Sequence, residues 1–112
     1  MTRKTFTGNE SVRDTNNELY YGIVVSDSIV QSNVSVATSA TKLPSIPLVR
    51  RKFIVIFNNS SAIIYIGDAT VTTANGFPLY PTSQLSIAIE DGIDIYAVVG
   101  SSTADIRLLE GH

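Results

Sequence analysis

The stretch RRKFIVIFNNSSAIIYIGD, Arg50 to Asp68, decides the fold. Three consecutive cations, Arg50, Arg51 and Lys52, lead into five residues that favour extended backbone, Phe53, Ile54, Val55, Ile56 and Phe57. β-Branched and aromatic side chains fit the pleated, partly buried surface of a sheet and lose rotamer freedom in a helix. Asn58 to Ser61 are four small polar residues suited to a turn, and Ala62 to Ile66 form a second apolar run closed by Gly67. The pattern predicts a β-hairpin with a four-residue loop. Apolar side chains fall on both faces of each run, with Phe53, Val55 and Phe57 on one face and Ile54 and Ile56 on the other. Burial on both faces places these strands in the middle of a sandwich or against another chain.

Downstream, Thr70–Thr72 reads as a short strand and Ala74-Asn75-Gly76 as a turn, because Asn and Gly both tolerate positive φ. Phe77 to Pro81 reads as a stiff crossing bracketed by prolines. Gln84–Ile89 alternates, with Leu85, Ile87 and Ile89 inward, and Glu90-Asp91-Gly92 forms a turn. Ile93–Val99 and Ala104–Leu109 are expected to make a final hairpin, with Ile106 and Leu108 inward and Asp105 and Arg107 in water. Upstream, Leu43 to Leu48 is an extended connection broken by Pro44 and Pro47. Ile29–Val36 mixes β-branched and small polar residues, the composition of a strand at a sheet edge or a subunit interface. Leu19 to Val25 (LYYGIVV) reads as a further strand, followed by a turn over Ser26–Ser28. Short strands with turn signals about every ten residues, and no helical period, predict an all-β fold. We expect a single antiparallel β-sandwich or jelly-roll-like barrel of about eight strands over residues 19–112.

Residues 1–18 hold only Met1, Phe6 and Val12 as sizeable apolar side chains, too few to build a core. They are expected to form an extended N-terminal arm, either a loose terminus or a segment that orders against a neighbour. In the second case Phe6 and Val12 anchor it while Arg3, Lys4 and Arg13 meet acidic patches.

Composition narrows the functions available. With no Cys there is no disulfide, thiolate metal site or thiol nucleophile. Ser, Thr and Asn number 31 of 112 residues against 16% charged, which makes the exterior neutral and hydroxyl-rich. Residues 1–52 carry seven cations and four anions, a balance of +3, and residues 53–112 carry one cation and six anions, a balance of −5. Opposed halves of this kind suit head-to-tail or lattice contacts. A basic face for nucleic acid is not evident, and no apolar run is long enough for a signal peptide or a bilayer span. The Asn-x-Ser matches at Asn9, Asn33, Asn58 and Asn59 are what chance provides in a Ser-rich chain.

A catalytic constellation is equally hard to find. The single histidine, His112, is expected to lie uncovered at the end of the sequence, which argues against a Ser–His–Asp arrangement. Glu90, Asp91, Asp94 and Asp68 match no calcium loop and read as turn chemistry. Phosphate-binding glycine motifs are absent. No enzyme activity and no cofactor are expected. Tyr65 and Tyr96 read as core packing and Tyr80, between Leu79 and Pro81, as an exposed aromatic contact. The Arg50, Arg51 and Lys52 run is either a solvated strand start that protects an edge or a contact patch for an acidic neighbour.

Taken in order, the proline-containing lead-in, RKFIVIFNN, IYIGD, the Thr-rich segment with Asn75-Gly76 and IYAVVGSSTADIRLLE resemble small β-sandwich virion proteins of tailed bacteriophages. Those include head decoration (cement) proteins and related tail or neck modules, and the resemblance covers about residues 34–110. It implies a structural role on the capsid surface after synthesis in the host cytoplasm. The implied partner is the major capsid protein or another virion protein, with the chain itself a trimer or dimer, and no nucleic acid or membrane is involved. A tail, neck or fibre-base component is the near alternative, and a carbohydrate-binding β-sandwich using Tyr80 with Tyr20 or Tyr21 is the distant one.

Overall fold

The computed structural model describes residues 28–112, and the Leu19–Val25 strand and the 1–18 arm lie outside them. Eight strands follow in order: β1 Ile29–Val36, β2 Thr41–Lys42, β3 Phe53–Asn58, β4 Ile64–Gly67, β5 Phe77–Leu79, β6 Gln84–Ala88, β7 Tyr96–Val99 and β8 Ala104–Gly111. They form two four-stranded sheets, ordered β1-β8-β3-β6 and β2-β7-β4-β5, with every pairing antiparallel. The pairs β1–β8, β2–β7, β3–β6 and β4–β5 nest inside one another, so the chain is a long ribbon doubled at β4–β5 and rolled into a sandwich. That is jelly-roll topology.

Rolling explains where the local expectations went wrong. β3 and β4 belong to different sheets, so Arg50–Asp68 holds an arch between sheets and not a hairpin. β7 and β8 are split the same way, and the expected final hairpin is a second arch. Turn residues between two apolar runs suit either geometry. In a hairpin the backbones pair, and in an arch the inward side chains face each other across the core. Asn58, fully buried, selects the arch at the first site. Its Nδ2 donates to the carbonyls of Ala62 (2.7 Å) and Leu79 (2.8 Å), and its Oδ1 accepts from Ser60 N (3.0 Å) and Ser60 Oγ (2.6 Å). These bonds turn the chain outward from one sheet and hold it against the other.

The one true hairpin of the second sheet joins β4 to β5 through residues 68–76. Thr70–Thr72 is not a strand, because Asp68 Oδ1 accepts from Thr70 N (2.9 Å) and Asn75 Oδ1 from Thr72 N (2.8 Å), which curls the segment. Val71 is buried by this curl and packs over Gly67 and Gly76, where an added Cβ would lie 2.9 and 2.8 Å from its Cγ2. Phe77–Leu79, expected as a crossing, pairs with β4 as an edge strand. Edge strands are where a proline such as Pro78 is tolerated.

The core lies between the sheets and consists of alternate residues of the central strands. Ile54 and Ile56 of β3, Ile64 and Ile66 of β4, Ala97 and Val99 of β7, and Ile106 and Leu108 of β8 are all buried. Leu85, Ile87 and Ile89 pack against this cluster as the alternation predicts, and Arg107 stays exposed with Asp105 half-buried. The outer face of β3 is apolar too. The Phe53 ring covers Gly111, where an added Cβ would lie 2.6 Å from it, and Val55 and Phe57 are half-buried. Tyr65 and Tyr96 are half-buried and alternate with core residues, so they stand on the outer face of the second sheet and not in the core expected for them.

Topology gives the sandwich two unlike ends. The β2–β3, β4–β5 and β6–β7 connections and the starts of β1 and β3 gather at one, called here the charged end. The β1–β2, β3–β4, β5–β6 and β7–β8 connections gather at the other, the Asn58 end.

Candidate functional site

The charged end is built around one buried ion pair. Glu110 shares the inward parity of Ile106 and Leu108 on β8, so its carboxylate points between the sheets. Arg51 fills the same space: Nη1 donates to Glu110 Oε2 at 2.8 Å, and Nη2 donates to the carbonyls of Ile93 (2.9 Å) and Glu90 (3.2 Å). Leu48 N donates to the same Glu110 oxygen at 3.2 Å. The guanidinium fork satisfies a carboxylate and two carbonyls at once, tying β8 to the β2–β3 and β6–β7 connections. Arg51 is 1% exposed, so it is not part of the surface patch expected for Arg50, Arg51 and Lys52, nor of a solvated strand start. Its Nε is buried with no hydrogen-bond partner among the described residues.

Arg50 and Lys52, by contrast, are exposed. Arg50 holds φ at 60°, a left-handed conformation that a β-carbon disfavours, and its N–H donates to Asp91 Oδ2 at 2.8 Å. That carboxylate bond helps to hold the strained turn. The two cations border an open depression of about 770 Å³ whose walls also include Glu90, Asp91, Ile93 and His112. The expected split into a positive front and a negative back is therefore not realised among the described residues. Lys42 meets Asp94 (3.5 Å) and Arg51 meets Glu110, each a cation of the first half beside an anion of the second. A doubled ribbon pairs its early strands with its late ones, which brings these cations and anions together among the described residues.

His112 differs from expectation as well. It is 7% exposed, its backbone exchanges two hydrogen bonds with Ser28 (3.0 and 3.3 Å), and its Nε2 lies 3.0 Å from Ser28 Oγ. The pair forms the last rung of the β1–β8 ladder. Ser28 does not line the depression, so the contact reads as ladder closure and not as a nucleophile facing a substrate.

Apolar exposure is concentrated at the same end. Ile29 and Val30 at the start of β1, Ile46 and Val49 in the β2–β3 connection, Ile93 in the β6–β7 connection and Phe77 at the start of β5 are all exposed, Ile46 to 83%. Exposed apolar side chains set among charged ones are typical of interaction surfaces. The sequence signal was present as LPSIPLV, in which neighbouring prolines prevent Ile46 and Val49 from alternating into a sheet.

Elsewhere, Tyr80 is 56% exposed as expected and stands alone among exposed large apolar side chains at the Asn58 end. Arg3, Lys4, Phe6, Val12 and Arg13 of the proposed arm, with Tyr20 and Tyr21, lie outside the described residues. Among the described residues no three His, Cys, Asp or Glu side chains come together as a metal-holding group. Two carboxylates are held below their ordinary pKa, Asp68 by hydrogen bonds from Thr70 and Asp105 by those from Asn59 (2.8 Å) and Arg107 (2.8 Å). No protein-family model matches the chain, and no curated protein matches it in sequence.

Proposed function

We propose that this chain is a structural protein of a tailed-bacteriophage virion, a capsid decoration protein that binds the head lattice and strengthens it. The observation that supports the reading is the charged end, where exposed Ile46, Val49, Ile93 and Phe77 accompany Arg50, Lys52 and Asp91 on a rolled, closed sandwich. Such an end binds by its surface, through a central apolar contact and a charged rim that sets orientation. Jelly rolls serve capsids, lectins and cupins alike, so the architecture permits this function without selecting it. The major capsid protein or another virion protein is the partner, residues 1–18 reach a neighbouring subunit or a capsid protein as an arm, and the chain acts as a trimer or dimer.

The test is sedimentation of the full-length chain with capsids of the phage that carries it, stripped of this protein. The full chain co-sediments, and Ile46→Asp with Ile93→Asp weakens binding at least about tenfold, the equivalent of roughly 1.4 kcal/mol. Loss of residues 1–18 weakens it further. Unchanged binding by the double variant overturns the reading. Gold-labelled antibody on intact virions separates head from tail, neck or fibre base.

Tyr80 favours a second reading, a glycan-binding module, because it offers an exposed ring for stacking. Glycan-array signal abolished by Tyr80→Ala would establish that activity, and an array silent for the full chain rejects it.

A further inference from the structure

Among the described residues the outer edge of β1 is the longest unpaired strand edge. Among the described residues β1 pairs only with β8, and of the other three edges β2 has two residues and Lys42, β5 contains Pro78 and β6 runs five residues. β1 runs eight residues, IVQSNVSV, with no charge and no proline. Unpaired edges normally carry such features to block further pairing. Because Ser28 directs both its N–H and its C=O at His112, the alternation of an antiparallel ladder turns those of Ile29, Gln31, Asn33 and Ser35 the other way. The Ser32 hydroxyl on this strand is buried without a hydrogen-bond partner among the described residues, and Ile29 and Val30 expose apolar surface.

We propose that Leu19–Val25 of the same chain adds to this edge as a ninth strand, antiparallel to β1. The chain outside the described residues reaches β1 through Ser26-Asp27, and LYYGIVV ends three residues before Ser28. A reversal over Ser26–Ser28 matches the two to five residues that hairpins use, and sequential strands are commonly neighbours. A partner from another chain would have to displace a segment already tethered within three residues of the edge. Alternate residues of this segment lie beside Ile29 on the outer face and beside Val30 and Val34 on the face that Val36 buries. Running antiparallel, the segment carries residue 19 toward the Val36 end of β1, so residues 1–18 leave from the Asn58 end and the depression lies at the opposite end. This inference is independent of the virion reading and stands or falls without it.

Amide hydrogen exchange by NMR on the full-length chain tests it. The amides of Ile29, Gln31, Asn33 and Ser35 exchange at least about a hundredfold slower than in unstructured peptides, as amides of a paired strand do. Gly22→Pro, or Tyr21→Asp with Ile23→Asp, returns those four to fast exchange, while Val30, Ser32 and Val34, bonded to β8, remain protected and report that the sandwich is intact. Fast exchange of the four in the unmodified chain overturns the proposal. Protection that disappears on dilution overturns it too, by assigning the edge to a second copy.

Discussion

Arg51 shows what a linear reading can and cannot find. Three adjacent cations look equivalent in the sequence, but Arg50 takes a left-handed φ and Arg51 N bonds back to Leu48 O (3.1 Å), which breaks the in–out alternation. Arg51 then turns inward while Lys52 turns out. The clue lay far away, at Glu110, whose parity with Ile106 and Leu108 required a buried cation. Removing one partner strands the other charge. Arg51→Met is expected to lower stability by about 3–5 kcal/mol in denaturant unfolding, and Arg51→Met with Glu110→Leu to recover much of it, leaving the orphaned Glu90 and Ile93 carbonyls as the residue of the loss. Equal losses for single and double variants would mean that the charge pairing is unimportant. Asp105, like Asp68, contributes to the pH dependence. Its folded pKa lies below the ordinary 3.8, so its contribution is present above that value and is lost as pH falls through the lower folded value. Thermal melts of Asp105→Asn should therefore lose part of the decline in stability seen in the parent below about pH 4. An unchanged decline would remove Asp105 from the cause.

At the scale of elements, strand positions were legible and strand partners were not. Ile29–Val36, Phe53–Phe57, Gln84–Ala88 and Ala104–Leu109 announce themselves by β-branched content and alternation, and each is a strand. Partners depend on whether a turn pairs backbones or stacks side chains, and Asn-Asn-Ser-Ser is compatible with both. Asn75-Gly76 signals a turn, but the hairpin it belongs to joins β4 to β5 over residues 68–76, and neither a Thr70–Thr72 strand nor a Phe77–Pro81 crossing flanks it. The β3–β4 arch rests on Asn58. Asn58→Ala unpairs the buried carbonyl of Leu79 and frees Ser60 and Ala62, at an expected cost of about 1–3 kcal/mol. Asn59→Ala, at a more exposed neighbour bonded to Asp105, is expected to cost less than about 1 kcal/mol. Comparable losses for the two would show that the arch is held by its strands and not by the buried amide.

For the whole molecule, the nested pairing of a doubled ribbon joins first half to second half, and among the described residues this sets Lys42 beside Asp94 and Arg51 beside Glu110. What survives rolling is the concentration of apolar exposure at one end, which no local pattern states because it comes from two connections and two strand starts far apart in the chain. Side chains already in water contribute little to folding, so Ile46→Asp with Ile93→Asp should leave unfolding midpoints within about 0.5 kcal/mol of the parent. If this end joins copies of the chain, light scattering on the full-length protein will give a dimer or trimer, and the double variant will give a monomer of 12.1 kDa. If the parent is itself monomeric while the variant still fails to sediment with capsids, the end is reserved for the lattice and assembly is templated there. A variant that keeps both the parent's mass and its capsid binding would leave these apolar residues without the contact role assigned to them.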